Sequence, residues 1–166
     1  MKRIYAPWRS PYAESTHRTK EEKASSKECI FCTQLKQKSD DENFIIKRFK
    51  YNAIILNRFP YNAGHILIIP LAHKATLDKL LTAARIELME LLSLSGPLMQ
   101  KTFDADGVNI GLNIGKAAGA GIPSHLHFHV LPRWFGDTNF LPTLTDTKLI
   151  SFDLRAVYDQ LKKAFK

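Results

Sequence analysis

His125-Leu126-His127-Phe128-His129-Val130-Leu131 alternates imidazole and apolar side chains without a break. In an extended chain successive side chains point to opposite faces, so the three histidines share one surface and Leu126, Phe128 and Val130 the other. One face of such a strand carries chemistry and the other joins a core. A lone histidine is readily explained as a satisfied, partly buried polar residue, but packing gives no reason to repeat it at every second position. Two chemical readings follow. Several imidazoles can hold a catalytic metal such as zinc, or a neutral histidine can attack phosphorus, its outer nitrogen aimed by a hydrogen bond from its other nitrogen to a carbonyl. The glycine-rich stretch Gly115-Lys116-Ala117-Ala118-Gly119-Ala120-Gly121 just before the strand favours the second, because glycine lets backbone amides approach phosphate oxygens closely.

Working outward from 125–131, residues 107–114 read as a partner strand. Residues 44–47, 51–58 and 65–70 are rich in aromatic and β-branched side chains and are punctuated by Pro60, Asn62 and Gly64, which predicts strand, turn and strand. From Thr82 to about Phe103 the apolar positions Leu88, Met89, Leu91, Leu92, Leu98 and Met99 predict one long helix, kinked or broken at Pro97. Leu154, Val157, Tyr158, Leu161 and Phe165 recur at helical spacing, so 151–166 reads as a C-terminal helix begun near Ser151 or Asp153. Residues 14–28 lack any apolar side chain larger than alanine and read as a polar loop. Strands and helices do not alternate regularly, which favours an α+β fold with an antiparallel sheet.

The 166 residues fit a single domain, with no internal repeat. A 45% hydrophobic fraction beside 24% charged residues is ordinary for a globular chain and excludes extensive disorder. The formal net charge of +8 favours anionic partners. The basic residues are scattered and form no nucleic-acid motif, so a nucleic-acid partner is not expected. Neither a signal peptide nor a membrane span is present in the sequence pattern, and a cytoplasmic setting is expected. There Cys29 and Cys32 would stay reduced. Their two-residue gap lets both thiolates reach one zinc ion at ~2.3 Å, while a redox pair or two buried apolar cysteines are the alternatives.

The run His125-Leu126-His127-Phe128-His129-Val130-Leu131, continued by Pro132-Arg133, resembles the histidine-triad (HIT) motif. Leu56-Asn57-Arg58, Ala63-Gly64-His65, Ile69-Pro70 and Asn109-Ile110-Gly111-Leu112-Asn113 extend the resemblance, as do Tyr5-Ala6-Pro7-Trp8-Arg9 and Arg133-Trp134 through Asn139-Phe140. Together they are most similar to the bacterial branch that includes diadenosine tetraphosphate phosphorylases, and to Fhit-like members. One departure is the loop Gly119-Ala120-Gly121-Ile122-Pro123-Ser124, which has no serine directly after the small residues.

The resemblance implies a five-stranded antiparallel sheet with a long helix and a C-terminal helix, paired into a homodimer through the long helix and a strand. By position it makes His127 the nucleophile that forms a nucleotidylated intermediate. The carbonyl of His125 would orient its ring, His129 would bond a phosphate or leaving-group oxygen, and His65 would support the cluster. Asn57 would hold the ribose, and Asn113 with the backbone Gly119, Gly121 and Ser124 the phosphate, with Trp134 as a wall for base or leaving group. The same resemblance completes a structural zinc set of Cys29, Cys32, His73 and His125, and no organic cofactor is expected. The implied function is a nucleotidyl hydrolase or transferase that cleaves a phosphoanhydride of a dinucleoside polyphosphate, with phosphate or water as acceptor. The alternatives are a nucleotide-binding regulatory protein with incidental hydrolysis of nucleoside phosphoramidates, and a metallohydrolase whose histidines bind the catalytic ion.

Overall fold

The computed structural model describes residues 28–138 and 152–166. The stretch Tyr5–Arg9, the polar loop up to residue 27, Asn139-Phe140 and Ser151 lie outside the described residues. In chain order the elements are α1 (Ile30–Lys36), β1 (Ile45–Arg48), β2 (Asn52–Leu56), β3 (Ile66–Pro70), α2 (Thr82–Phe103), β4 (Gly107–Leu112), β5 (Phe128–Arg133) and α3 (Leu154–Ala164). The strands form one sheet in the order β1-β2-β3-β5-β4, antiparallel throughout. This is the α+β architecture that the sequence predicts.

All five residues of β2 and of β3 are buried, because both faces of the sheet are covered at its centre. Ile54, Leu56, Ile66, Ile68 and Val130 face α2 and α3, where they pack with Leu88, Leu92, Met99, Tyr158 and Leu161. Ala53, Ile55, Leu67 and Ile69 face the other way and pack with Phe31 of α1. The period of two thus sends alternate residues to two separate cores.

The turn between β2 and β3 needs Gly64. Its φ is +74°, and a Cβ there would stand 2.7 Å from Phe103 Cε2, so any other residue meets both backbone strain and the aromatic ring.

Helix α2 runs unbroken across Pro97, contrary to the break allowed by the sequence reading. Proline crowds the Cβ of the residue before it, and that residue is Gly96, which has none. Ala84, Leu88, Leu91, Leu92, Ser95 and Met99 form its buried stripe, at spacings of three and four. Helix α3 starts at its N-cap Asp153, whose carboxylate accepts the Ala156 amide at 2.7 Å.

Helix α1 was not foreseen. It buries only Phe31, and at seven residues it is far below the length that is stable alone. Arg48 of β1 holds it in place, donating to the Leu35 and Gln37 carbonyls at 2.8 and 3.1 Å while Asp40 pairs with the guanidinium.

The strand expected over 125–131 enters the ladder only at Phe128. In the β3–β5 register Ile68 faces Phe128, so the position facing Leu126 belongs to Pro70, which has no amide to donate. The Leu126 amide turns instead to the Lys74 carbonyl at 2.7 Å, and the Pro70 carbonyl is taken by the His125 ring.

Candidate active site and metal centre

The alternation survives outside the ladder. Leu126 packs with Leu80 and Ala84 on the α2 side, while the rings of His125, His127 and His129 stand on the α1 side. Phe31 meets His125 at 5.5 Å and His127 at 5.3 Å between ring centroids.

Four hydrogen bonds fix which nitrogen of each ring carries a proton, and the assignment follows from the network. The Tyr61 amide donates to His65 Nδ1 at 3.1 Å, so that nitrogen is bare and the proton of neutral His65 sits on Nε2. From there it is donated to His129 Nδ1 at 2.9 Å, which leaves His129 with its own proton on Nε2. His127 Nδ1 lies 2.8 Å from the His125 carbonyl and must donate to it, so His127 Nε2 carries a free lone pair. His125 Nε2 donates to the Pro70 carbonyl at 2.9 Å, which frees Nδ1. Burial, followed by the neighbouring His129 and His127, holds the pKa of His65 down to about 3. Burial and then His127 hold that of His129 down to about 4. Both rings are therefore neutral near pH 7, as the assignment requires.

His127 and His129 line a cavity of about 230 Å³. Its other walls include Ile30, Phe31 and Gln34 of α1, Ile55 and Leu67 of the sheet, Asn57, Arg58 and Tyr61 of the β2–β3 turn, and Gly119, Gly121 and Ile122 of the glycine loop. A nucleophilic nitrogen and an N–H donor thus sit side by side, their ring centroids 5.1 Å apart, at one end of a mostly apolar pocket. That pairing suits displacement at phosphorus with a hydrogen bond to the leaving oxygen.

Of the residues expected to hold substrate, Asn57, Gly119 and Gly121 line the cavity. Asn57 accepts the Phe59 amide at 3.0 Å and donates to His65 Nδ1 at 3.2 Å, so it also braces the turn. Asn113 lies beside the glycine loop, its Nδ2 3.7 Å from where a Gly119 Cβ would be. The amides of Gly119 and Ala120 bond the Lys116 and Gly115 carbonyls inside the loop. Ser124 is exposed and does not line the cavity. Trp134 does not line it either. It lies seven positions beyond His127, roughly 23 Å of extended chain, and its indole donates to the Phe103 and Asp104 carbonyls at the end of α2. The expectation of Trp134 as a wall of this chain's pocket is corrected accordingly.

Phe31 and Tyr61 were not singled out in the sequence. Tyr61 stacks on His129 at 5.8 Å and 18° in addition to fixing the His65 tautomer. A turn tyrosine and an aromatic between two cysteines carry no periodic signal.

On the other side of His125, Cys29, Cys32, His73 and His125 bring one ligand atom each within 4.8 Å of one another. His125 Nδ1 stands 3.4 Å from Cys29 Sγ and 3.5 Å from Cys32 Sγ, and His73 Nδ1 stands 3.2 Å from Cys32 Sγ. Tetrahedral zinc with ~2.3 Å bonds to sulfur and ~2.0 Å bonds to nitrogen separates such atoms by about 3.5 Å, so the donor set fits a metal ion. Burial and the adjacent Cys29 raise the Cys32 thiol pKa in the metal-free chain, a direction that a bound cation reverses.

Comparison with known proteins places the chain among a set of relatives. A family model described as the HIT domain matches residues 38–136. The chain is 32% identical over 155 residues to an AP-4-A phosphorylase of Mycobacterium tuberculosis, covering 93% of this chain and 80% of that protein. It is 32% identical over 89 residues to the asymmetrical bis(5'-nucleosyl)-tetraphosphatase of Schizosaccharomyces pombe, covering 54% of this chain and 48% of the other. The crystal structure of a Zn-bound histidine triad family protein from Mycobacterium smegmatis superposes with a TM-score of 0.67 at 26% identity, over 84% of this chain and 94% of that one.

Proposed function

This chain belongs to the HIT domain family, and from that premise we propose that it is an enzyme that cleaves a phosphoanhydride of a dinucleoside polyphosphate such as diadenosine tetraphosphate. The observation that carries the reading is the His127 ring, tied through Nδ1–H to the His125 carbonyl at 2.8 Å and so presenting a bare Nε2 to the pocket.

The reaction takes two displacements. His127 Nε2 forms a bond to the phosphorus next to the nucleoside, and the bond from that phosphorus to the bridging oxygen breaks. His129 Nε2–H donates a hydrogen bond to the departing oxygen, which leaves as a phosphate anion, and positive charge on the His127 ring is stabilised by the His125 carbonyl. Water or inorganic phosphate then attacks the nucleotidyl-His127 phosphorus and releases the nucleotide. Asn57 would bond the ribose, and Gly121 of the glycine loop, with Asn113 beside that loop, would receive phosphate oxygens. The regulatory-protein alternative retains none of these proton assignments as a requirement, so the intact network supports the enzyme.

Zinc at Cys29, Cys32, His73 and His125 is the proposed occupant of the second cluster. It would supply structural crosslinking between α1, the end of β3 and the approach to β5. We read residues 1–166 as one domain. A homodimer is supported by β4, an edge of the sheet among the described residues that carries Ile110 46% exposed, and by Ile86 and Met89 of α2, 60% and 59% exposed. A cytoplasmic setting belongs to the same reading, and Cys29 and Cys32 would stay reduced there. Among the described residues no helix is long and apolar enough to cross a membrane.

The test is product analysis with diadenosine tetraphosphate, with and without inorganic phosphate. ADP formed only with phosphate identifies a phosphorylase, and AMP with ATP in its absence a hydrolase. No cleavage in either buffer overturns the reading.

A further inference from the structure

Two groups in the turn between β2 and β3 keep His65 Nδ1 bare. The Tyr61 amide donates to it directly, and the Asn57 carboxamide donates to it in an orientation set by the Phe59 amide. If residues 59–61 shift, both donors are released together. Asn57 is then free to turn over and accept from Nδ1–H, His65 Nε2 becomes an acceptor, and His129 donates to it from Nδ1. In that order His129 Nε2 is bare and has no proton to offer the pocket.

The anchor of residues 59–61 lies outside the cavity. Asn62 follows them directly and is buried. Its carbonyl accepts the His65 amide at 3.2 Å. Its side-chain amide reaches the end of β5, donating to the Pro132 carbonyl at 3.2 Å and to Asp137 Oδ2 at 2.8 Å. Asp137 is itself fixed. Its side chain is 6% exposed and receives Arg133 through two nitrogens, Nε at 2.5 Å and Nη2 at 3.0 Å, together with the Trp134 amide at 3.4 Å. The bonds from Arg133, and after them the bond from Asn62, hold the Asp137 carboxyl well below the usual carboxylate range. A two-point guanidinium–carboxylate pair fixes direction as well as distance, so Oδ2 is presented to Asn62 in one place.

We propose that Asp137 is a positioning residue for the reaction: by locking Asn62 it holds the turn whose donors keep His129 in the tautomer that offers Nε2–H to the departing oxygen. This role rests on the proposed reading that His127 attacks phosphorus and His129 bonds the leaving group. Asp137 touches neither histidine and acts through Asn62 and the turn.

Asp137→Asn and Asn62→Ala each cut this tie. Asn109→Ala is the control, because it removes the other arm of the same arginine, Nη1 to Asn109 Oδ1 at 2.5 Å, and leaves Asn62 in place. Nitrogen NMR of histidine-labelled protein, below each thermal midpoint, tells a bare ring nitrogen from a protonated one. His65 and His129 should show single tautomers in the parent and in Asn109→Ala, and mixed tautomers in the other two. The kcat for diadenosine tetraphosphate should fall on the order of 10- to 100-fold in those two, the cost of misplacing a reacting group by up to about 1 Å. AMP affinity should fall by no more than about threefold, because the apolar wall of the cavity is untouched. The double variant should be no slower than the slower single, since both changes cut one tie. Single tautomers in Asp137→Asn, or a kcat within about twofold of the parent, overturns the role. So does an equal loss in Asn109→Ala, which would make the Arg133–Asp137 pair a general brace. A parent that does not cleave the dinucleotide overturns the enzymatic reading instead, and the spectra then decide the hold of Asp137 on the histidines alone.

Discussion

Two histidine clusters meet at His125 and behave differently, although both are built from the same side chain. On the pocket side, His127 keeps its proton on Nδ1 because the His125 carbonyl accepts it, and His129 keeps its proton on Nε2 because His65 supplies its Nδ1. On the cysteine side, His125 keeps its proton on Nε2 for the Pro70 carbonyl and turns Nδ1 toward two thiols. What each ring can do is decided by what its other nitrogen is tied to. Residue 125 serves both sides by separate groups, its backbone carbonyl for the nucleophile and its side chain for the metal.

The largest effect should come from the pocket side. His127→Ala removes the nucleophile and is expected to lower kcat on the order of 10⁴-fold, while AMP affinity changes little because the apolar wall and Asn57 remain. Steady-state kinetics beside AMP titration measures both. A variant that keeps more than a tenth of the parent kcat would break the assignment of His127.

The alternation at 125–131 was legible because a strand repeats every two residues, and it held its faces even where the ladder did not form. The buried runs of β2 and β3 and the stripe of α2 were legible for the same reason of period. What the sequence could not carry is tertiary. Helix α1 exists because Arg48 bonds the carbonyls at its end, and one buried phenylalanine leaves no pattern. The proton order of the histidines depends on the Tyr61 amide and the Pro70 carbonyl, backbone groups that any residue would supply. Trp134 follows the histidines closely in sequence, but an extended strand converts a short interval in sequence into a long one in space.

The cysteine side should respond in the opposite sense. With one zinc per purified chain, Cys32→Ser is expected to lose the metal and about 10 °C of thermal midpoint, a few kcal/mol for a chain of this size. The kcat should fall less than tenfold, because the backbone carbonyl that orients His127 is not a ligand. Elemental analysis and calorimetry check the first part. A variant that loses zinc and loses activity as far as His127→Ala does would merge the two clusters into one functional unit and end the contrast between them.

The smallest effect is the dependence of stability on pH, and it sharpens the pocket side alone. His65 is fully buried, and its pKa of about 3 in the folded chain lies below the ~6.5 of an unfolded histidine. Between those values the unfolded chain binds the proton and the folded chain does not, so lowering the pH favours unfolding. The stabilising contribution is complete above about pH 6.5, falls as the pH drops through the window, and levels off below about 3. One such group gives a slope of at most ~1.4 kcal/mol per pH unit, and ~1.3 is expected between pH 5.5 and 4.5, where the unfolded histidine is largely protonated. The zinc ligands also titrate in acid, so the informative quantity is the difference between the parent and His65→Gln, which share the cysteine side unchanged. Chemical denaturation at half-unit steps of pH should show a shallower acid slope in the variant by about one proton. Identical slopes would mean that His65 already carries a second proton in the folded chain. It would then have no bare Nδ1 for the Tyr61 amide, and the proton order that makes His129 a donor would fail with it.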